Sequence, residues 1–306
     1  MIRTGWMLLV VVAWLGMGSA SWAAGGKEGA KSAPPEDRKG PSFTQEEKHF
    51  SNLTMGFYLN PSPEKLMPAF LAIRDLKAFF HRTQKSPDDG RAVIASQVTA
   101  VFLATLVRKQ PELAQSFTRQ VKAKGSDEHK MVLADAIARS GIKKRDEAVN
   151  QLLGSISPGF MAGKGKEDAQ AGKAREIFFA RIRQQPPLDL RKFQIIHPGQ
   201  IDLLWAAFFA SGDKEYVSQV AHHLTGWLPR EEMMAKIREL NGQKRTPQLL
   251  AEVRQYLVSG AAGMSLGTNA AHIPDVRVAL EKFAASDKGA AGKAAKRILQ
   301  SLEGSR

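Results

Sequence analysis

His222 and His223 stand side by side in the stretch QVAHHLTGW and are the only adjacent histidines in the chain. Imidazole is the commonest metal ligand and the side chain best suited to proton transfer near neutral pH. A single helix chelates an ion through residues four apart, whose side chains rise from the same face. Adjacent residues diverge instead, by about 100° around the axis. Tyr216, Val217, Val220 and Leu224 define the apolar face of this segment, so His222 points away from it and His223 lies on its margin. The positions four residues away are Ser218 and Gly226 for His222, and Gln219 and Trp227 for His223, none a good metal ligand. The pair therefore reads as one solvent histidine and one margin histidine near a helix C-terminus, where partial positive charge is favourable.

The remaining chemistry-capable residues are dispersed. His49, His81, His129, His197 and His272 show no HExxH or related spacing, and the sequence contains neither a G-x-S-x-G elbow nor a phosphate-binding P-loop. Glu231 and Glu232 open the amphipathic stretch REEMMAKIRELNG, whose Met233, Ile237 and Leu240 face inward. Paired acids at a helix start read as a solvated first turn that favours the helix dipole, rather than as a glycosidase pair. No residue is thus assigned to catalysis, to a metal or to a cofactor. The aromatic cluster Trp205, Phe208 and Phe209 meets at spacings of three and four along one helix. Such rings either clamp helix pairs together or line a peptide or glycan groove, and the clamp is the expected role.

The elements that would position these residues are helices throughout. Ser62 and Pro63 suit the N-cap and first position of a helix carrying Leu66, Phe70, Ile73, Leu76 and Phe80. Residues 92–107, AVIASQVTAVFLATLV, are apolar nearly all round, as in a helix packed on all sides. Pro111 opens a segment with Leu113, Phe117 and Val121, and Ser126 caps one with Met131, Ala134 and Ile137. Asp213 is expected to cap the histidine helix. Thr246 and Pro247 precede Leu249, Leu250, Val253 and Leu257; Pro274 precedes Val276, Leu280 and Phe283; a last helix runs from about Ala290 to Leu302. Gly141, Gly212 and Gly260 each follow an apolar run, where glycine can end a helix in the left-handed conformation. The only strand candidate is KFQII, residues 192–196. The expected fold is all-α, with irregular stacked antiparallel helix pairs as in an α-solenoid. Residues 159–173, GFMAGKGKEDAQAGK, read as a loop, and any boundary between two lobes falls within 158–198.

The N-terminal residues bear on location. Arg3, the apolar run WMLLVVVAWLGM and the small residues SASWAA have the order of a secretory signal, with cleavage expected after Ala23. Residues 24–42 lack any large apolar side chain and are expected to form a flexible leader to a helical domain over 43–306. The chain has no cysteine, which excludes disulfides, thiolate catalysis and cysteine zinc sites. Its formal charge is +14, falling to +13 without Arg3. A basic exported protein is drawn to acidic proteins, acidic glycans or anionic lipid headgroups. Nucleic acid is not expected, because no compact basic run with interleaved aromatics is present.

Two segments resemble conserved stretches of uncharacterised, exported bacterial helical proteins loosely related to tetratricopeptide and HEAT-like repeats. In IDLLWAAFFASGDKEYVSQVAHHL the matching residues are Asp202, Trp205, Phe208, Gly212 and Asp213. In AAGMSLGTNAAHIPDVRVAL they are Ser265, Leu266, Asn269, Ala270, His272 and Val276, with Met264 where those proteins carry tryptophan. The resemblance implies a helical fold and a bacterial envelope location, and no activity. The sequence thus points to an interaction or scaffold protein with a protein partner. Two alternatives remain: an envelope polymer hydrolase with dispersed carboxylates, and a peripheral binder of anionic membrane.

Overall fold

Side-chain capping sets several of the helix starts. Thr44 Oγ1 accepts from the Glu47 backbone N–H at 3.2 Å, and Glu47 Oε2 accepts from the Thr44 N–H at 2.8 Å, a reciprocal pair that satisfies two donors at the helix end. Thr246 makes a one-way cap, its hydroxyl accepting from Leu249 N–H at 3.1 Å ahead of Pro247. The computed structural model describes residues 43–82, 91–160, 169–241, 243 and 246–303. Both the expected signal segment, 1–23, and the expected leader, 24–42, lie outside the described residues.

Among the described residues fourteen α-helices follow in order: α1 (Gln45–Met55), α2 (Pro63–Ala72), α3 (Leu76–Arg82), α4 (Arg91–Lys109), α5 (Leu113–Lys124), α6 (Asp127–Ser140), α7 (Arg145–Leu153), α8 (Ala169–Arg183), α9 (Ile201–Ser211), α10 (Glu215–His222), α11 (Arg230–Asn241), α12 (Pro247–His272), α13 (Pro274–Ser286) and α14 (Ala290–Glu303). The fold is all-α, and no strand occurs among the described residues. Consecutive helices stack on one another, α6 on α7, α12 on α13 and α13 on α14. The central apolar helix α4 packs against both α6 and α9, which explains why it is hydrophobic nearly all round. One contiguous core runs from Phe50 to Ile298 and includes Phe179, Ile182, Leu190 and Ile195 from the 158–198 stretch. Helix α11 packs mainly against α12, over a small separate cluster of Leu240, Leu249 and Val253. Among the described residues no helix is long and apolar enough to cross a membrane.

The sequence expectations hold at most helix starts and fail at identifiable places. Gly141 and Gly212 do end helices in the left-handed conformation, with φ of 76° and 72°. Gly260 does not, because it lies inside the 26-residue helix α12. Its space is taken by Met233, so the glycine serves close packing. The expected helix from Ser62 to Phe80 is two helices. The chain leaves α2 at Ile73, with ψ of 100°, and Asp75 restarts it by accepting from Ala78 N–H at 2.7 Å. The inward residues Leu66, Phe70, Ile73, Leu76 and Phe80 are buried all the same. Lys214, not Asp213, precedes α10, and Asp213 instead folds over the first turn, its Oδ1 accepting from Glu215 N–H at 3.0 Å. Leu250 faces outward. The KFQII stretch forms no strand: its first two residues close turns, the N–H groups of Lys192 and Phe193 donating to the Asp189 and Leu190 carbonyls at 3.1 and 3.3 Å. Residues 161–168 of the expected 159–173 loop lie outside the described residues, and its end from Ala169 is already helix.

Candidate functional site

The histidine pair straddles a helix end: His222 is the last residue of α10 and His223 the first of a 3-10 turn over His223–Gly226. His222 is exposed with its ring edge-on to Phe283, centroids 4.9 Å apart, and His223 is half-buried. Burial, then the neighbouring His222, pull the His223 pKa below its ordinary value. Among the described residues no three histidines or carboxylates gather closely enough to hold a metal ion. Glu231 and Glu232 are exposed on the first turn of α11.

The three aromatics Trp205, Phe208 and Phe209 are core residues, 4 %, 0 % and 7 % exposed. Trp205 stacks on Phe209 and meets Phe208 edge-on, both at 6.0 Å. Tyr58, arriving from the segment after α1, covers Phe208 at 4.8 Å, and its backbone N–H donates to Phe209 carbonyl at 3.0 Å. The cluster ties the N-terminal helices to α9.

His129, which sequence spacing leaves unassigned, is brought to a specific role. It is 2 % exposed, with Nε2 3.0 Å from the Phe70 carbonyl and Nδ1 2.8 Å from Ser126 Oγ. A carbonyl only accepts, so Nε2 carries the proton and Nδ1 accepts from the Ser126 backbone N–H at 3.3 Å, the one hydroxyl proton of Ser126 being directed at Glu128. Glu128 Oε2 lies 2.8 Å from the same hydroxyl. This serine–histidine contact is a capping box in which imidazole replaces the usual Glu or Gln, and its second nitrogen fastens α6 to the end of α2. Burial lowers the His129 pKa, which favours this neutral form.

A second grouping of polar and charged side chains lines a groove between α5 and α7. On α5, Phe117 and Val121 face the core, which turns Ala114 and Thr118 toward α7 and sets Gln115 and Arg119 along the rim. The left-handed Gly141 ends α6 and sends the chain through Ile142, Lys143 and Lys144 into α7, which contributes Glu147, Ala148 and Gln151. The trough so enclosed has a volume of about 920 Å³. Its floor is small, formed by Ala114, Thr118 and Ala148.

Four cations and two carboxylates line this trough: Arg108, Arg119, Lys143, Lys144, Glu112 and Glu147. Arg108 is engaged structurally, donating to the carbonyls of Ser140, Arg139 and Leu188 at 2.8, 3.1 and 2.6 Å. It thereby satisfies the C-terminal carbonyls of α6, the groups a helix leaves without partners. Gln151 donates to Glu147 at 3.3 Å. Arg119, Lys143 and Lys144 have no ion-pair partner among the described residues. At the floor, the Thr118 hydroxyl is buried, the residue only 2 % exposed, and has no hydrogen-bond partner. A buried hydroxyl left in that state costs roughly 1–3 kcal/mol. The trough therefore presents two carboxamides and three cations without ion-pair partners to a ligand, over a floor in which the buried Thr118 hydroxyl is unsatisfied. Sequence reasoning missed it because its residues come from three helices and a turn. The only local trace is the pair of lysines after Gly141.

No family profile, curated protein or solved structure matches the chain.

Proposed function

We propose that the chain is a non-catalytic binding protein, exported to the bacterial cell envelope, that holds a protein partner in the α5–α7 groove. The observation that carries this reading is the conjunction at the groove of an unpartnered buried Thr118 hydroxyl with the uncompensated cations Arg119, Lys143 and Lys144. Its volume of about 920 Å³ lies near the upper end of ordinary ligand sites, which run to roughly 1,000 Å³. The serine–histidine contact is part of a helix cap, and the aromatic cluster is buried, so neither competes with the groove as a place for a ligand. Export rests on the expected signal over residues 1–23 and on the resemblance described above.

A photo-crosslinking side chain at the exposed Gln115, in cells of the native host, tests the binding reading. The expected result is a protein adduct that is lost in the Lys143→Glu/Lys144→Glu variant and re-forms when the purified partner is mixed with the wild-type chain. Absence of any protein adduct that depends on the two lysines would overturn it.

A further inference from the structure

We propose that the α5–α7 groove recognises an extended peptide segment whose acidic residues are spaced by neutral ones, an inference that rests on the binding reading above. The floor supplies the first reason. Ala114, Thr118 and Ala148 are small, so a ligand main chain can approach the helix surfaces closely. Thr118 Oγ has no partner there and can both donate and accept. Gln115 on α5 and Gln151 on α7 add carboxamides to opposite walls. A peptide main chain, which alternates N–H and C=O groups, matches that set of donors and acceptors.

The charge pattern supplies the second reason. Arg119, Lys143 and Lys144 call for carboxylates, while Glu112 and Glu147 sit within the same walls. A uniformly charged polyanion would press like charges against those two glutamates, which costs affinity and excludes wrong partners. A membrane surface presents no chain able to enter a trough. A peptide with separated aspartates or glutamates places its charges at the cations and neutral residues at Glu112 and Glu147. The glutamates then act as selectivity elements and the lysine pair as the anchor.

Fluorescence anisotropy with the full mature chain tests this. The probe is a fluorescein-labelled peptide of aspartates separated by serine and alanine, with oligoglutamate of equal length, inorganic polyphosphate and phosphatidylglycerol vesicles as competitors. The spaced peptide is expected to bind more tightly than each competitor. Lys143→Ala/Lys144→Ala is expected to weaken it about tenfold or more, the loss of two charge-assisted contacts. Thr118→Val is expected to weaken it about threefold to tenfold with the melting temperature unchanged or raised, because the hydroxyl has no intramolecular partner to lose. Glu112→Gln/Glu147→Gln is expected to abolish the preference over oligoglutamate. The proposal is overturned if the spaced peptide does not bind, if the lysine or threonine variants bind it as the wild type does, or if polyphosphate or vesicles bind equally well. Should the probe fail while the lysine-dependent protein adduct at Gln115 persists, the ligand class is wrong and the binding reading stands; loss of both removes the reading itself.

Discussion

The indole edge of Trp227, at Nε1 and Cδ1, occupies the space that a Cβ on Gly263 would need. One turn earlier, a Cβ on Gly260 would lie 2.6 Å from Met233 Sδ and Cε. Helix α12 is thus stripped to backbone along the line where the chain between α10 and α11, and α11 itself, press on it. Gly263→Ala is expected to destabilise the fold by about 1–3 kcal/mol, because a rigid ring must move. Gly260→Ala should fall within about 1 kcal/mol of wild type, since the flexible end of Met233 can turn aside and alanine restores helix propensity. Urea midpoints for the two variants, measured side by side, check the contrast; equal losses would contradict it.

His129 makes stability depend on pH. Its folded-state pKa is lowered, chiefly by burial, so the native state binds fewer protons than the unfolded chain. The stability it contributes is full above the ordinary histidine value of about 6.5 and is lost as pH falls from there toward the folded value. His223, shifted in the same direction, adds to the slope. His129→Gln retains a capping side chain without a titrating group. It should flatten the fall in denaturant midpoint between about pH 7.5 and 5. An unchanged slope would assign the pH dependence to other groups.

Asp202 works in the opposite sense. Burial pushes its carboxyl up to about 7. The native state then holds a proton that the unfolded chain has released, so its stabilising share is complete below the ordinary carboxylate range and is lost as pH rises through about 7. Asp202→Asn should raise stability at pH 8 by about 1–2 kcal/mol, discounted because the residue keeps some solvent contact, and much less at pH 4. Melting curves at the two pH values decide it, and a variant that gains equally at both would place the effect elsewhere.

The Trp205 ring stacks on Phe209 inside the core, so Trp205→Ala should cost about 3–5 kcal/mol. Thermal unfolding followed by circular dichroism reads this directly. A variant that keeps its wild-type melting temperature would show that the ring contributes little to the fold and would return it to consideration as part of a binding surface.

Several features of this chain are legible from residues a few positions apart. Ser126, Thr246, Pro63 and Pro274 mark helix starts, and Gly141 and Gly212 mark helix ends, because caps and left-handed turns are made within a single turn of chain. The three- and four-residue rhythm of Phe117 and Val121, or of Val276, Leu280 and Phe283, identifies the buried face by the same local geometry. The divergence of His222 from His223 is likewise local, set by the rotation between neighbouring residues where α10 gives way to a 3-10 turn. Other features depend on residues that meet only after folding. Gly260 carries the same apolar prelude as Gly141 and Gly212, yet it continues a helix, because Met233 from another helix takes the space beside it. His129 is an isolated histidine in the sequence and a fastening point in three dimensions, because the carbonyl it reaches belongs to Phe70, 59 residues away. The groove joins Thr118 and Arg119 to Lys143 and Lys144 only when α5 and α7 pack together. Local backbone hydrogen bonding settles where helices begin and which side is apolar. Burial and the pairing of polar groups settle what each exceptional residue does, and these exist only once the helices have packed.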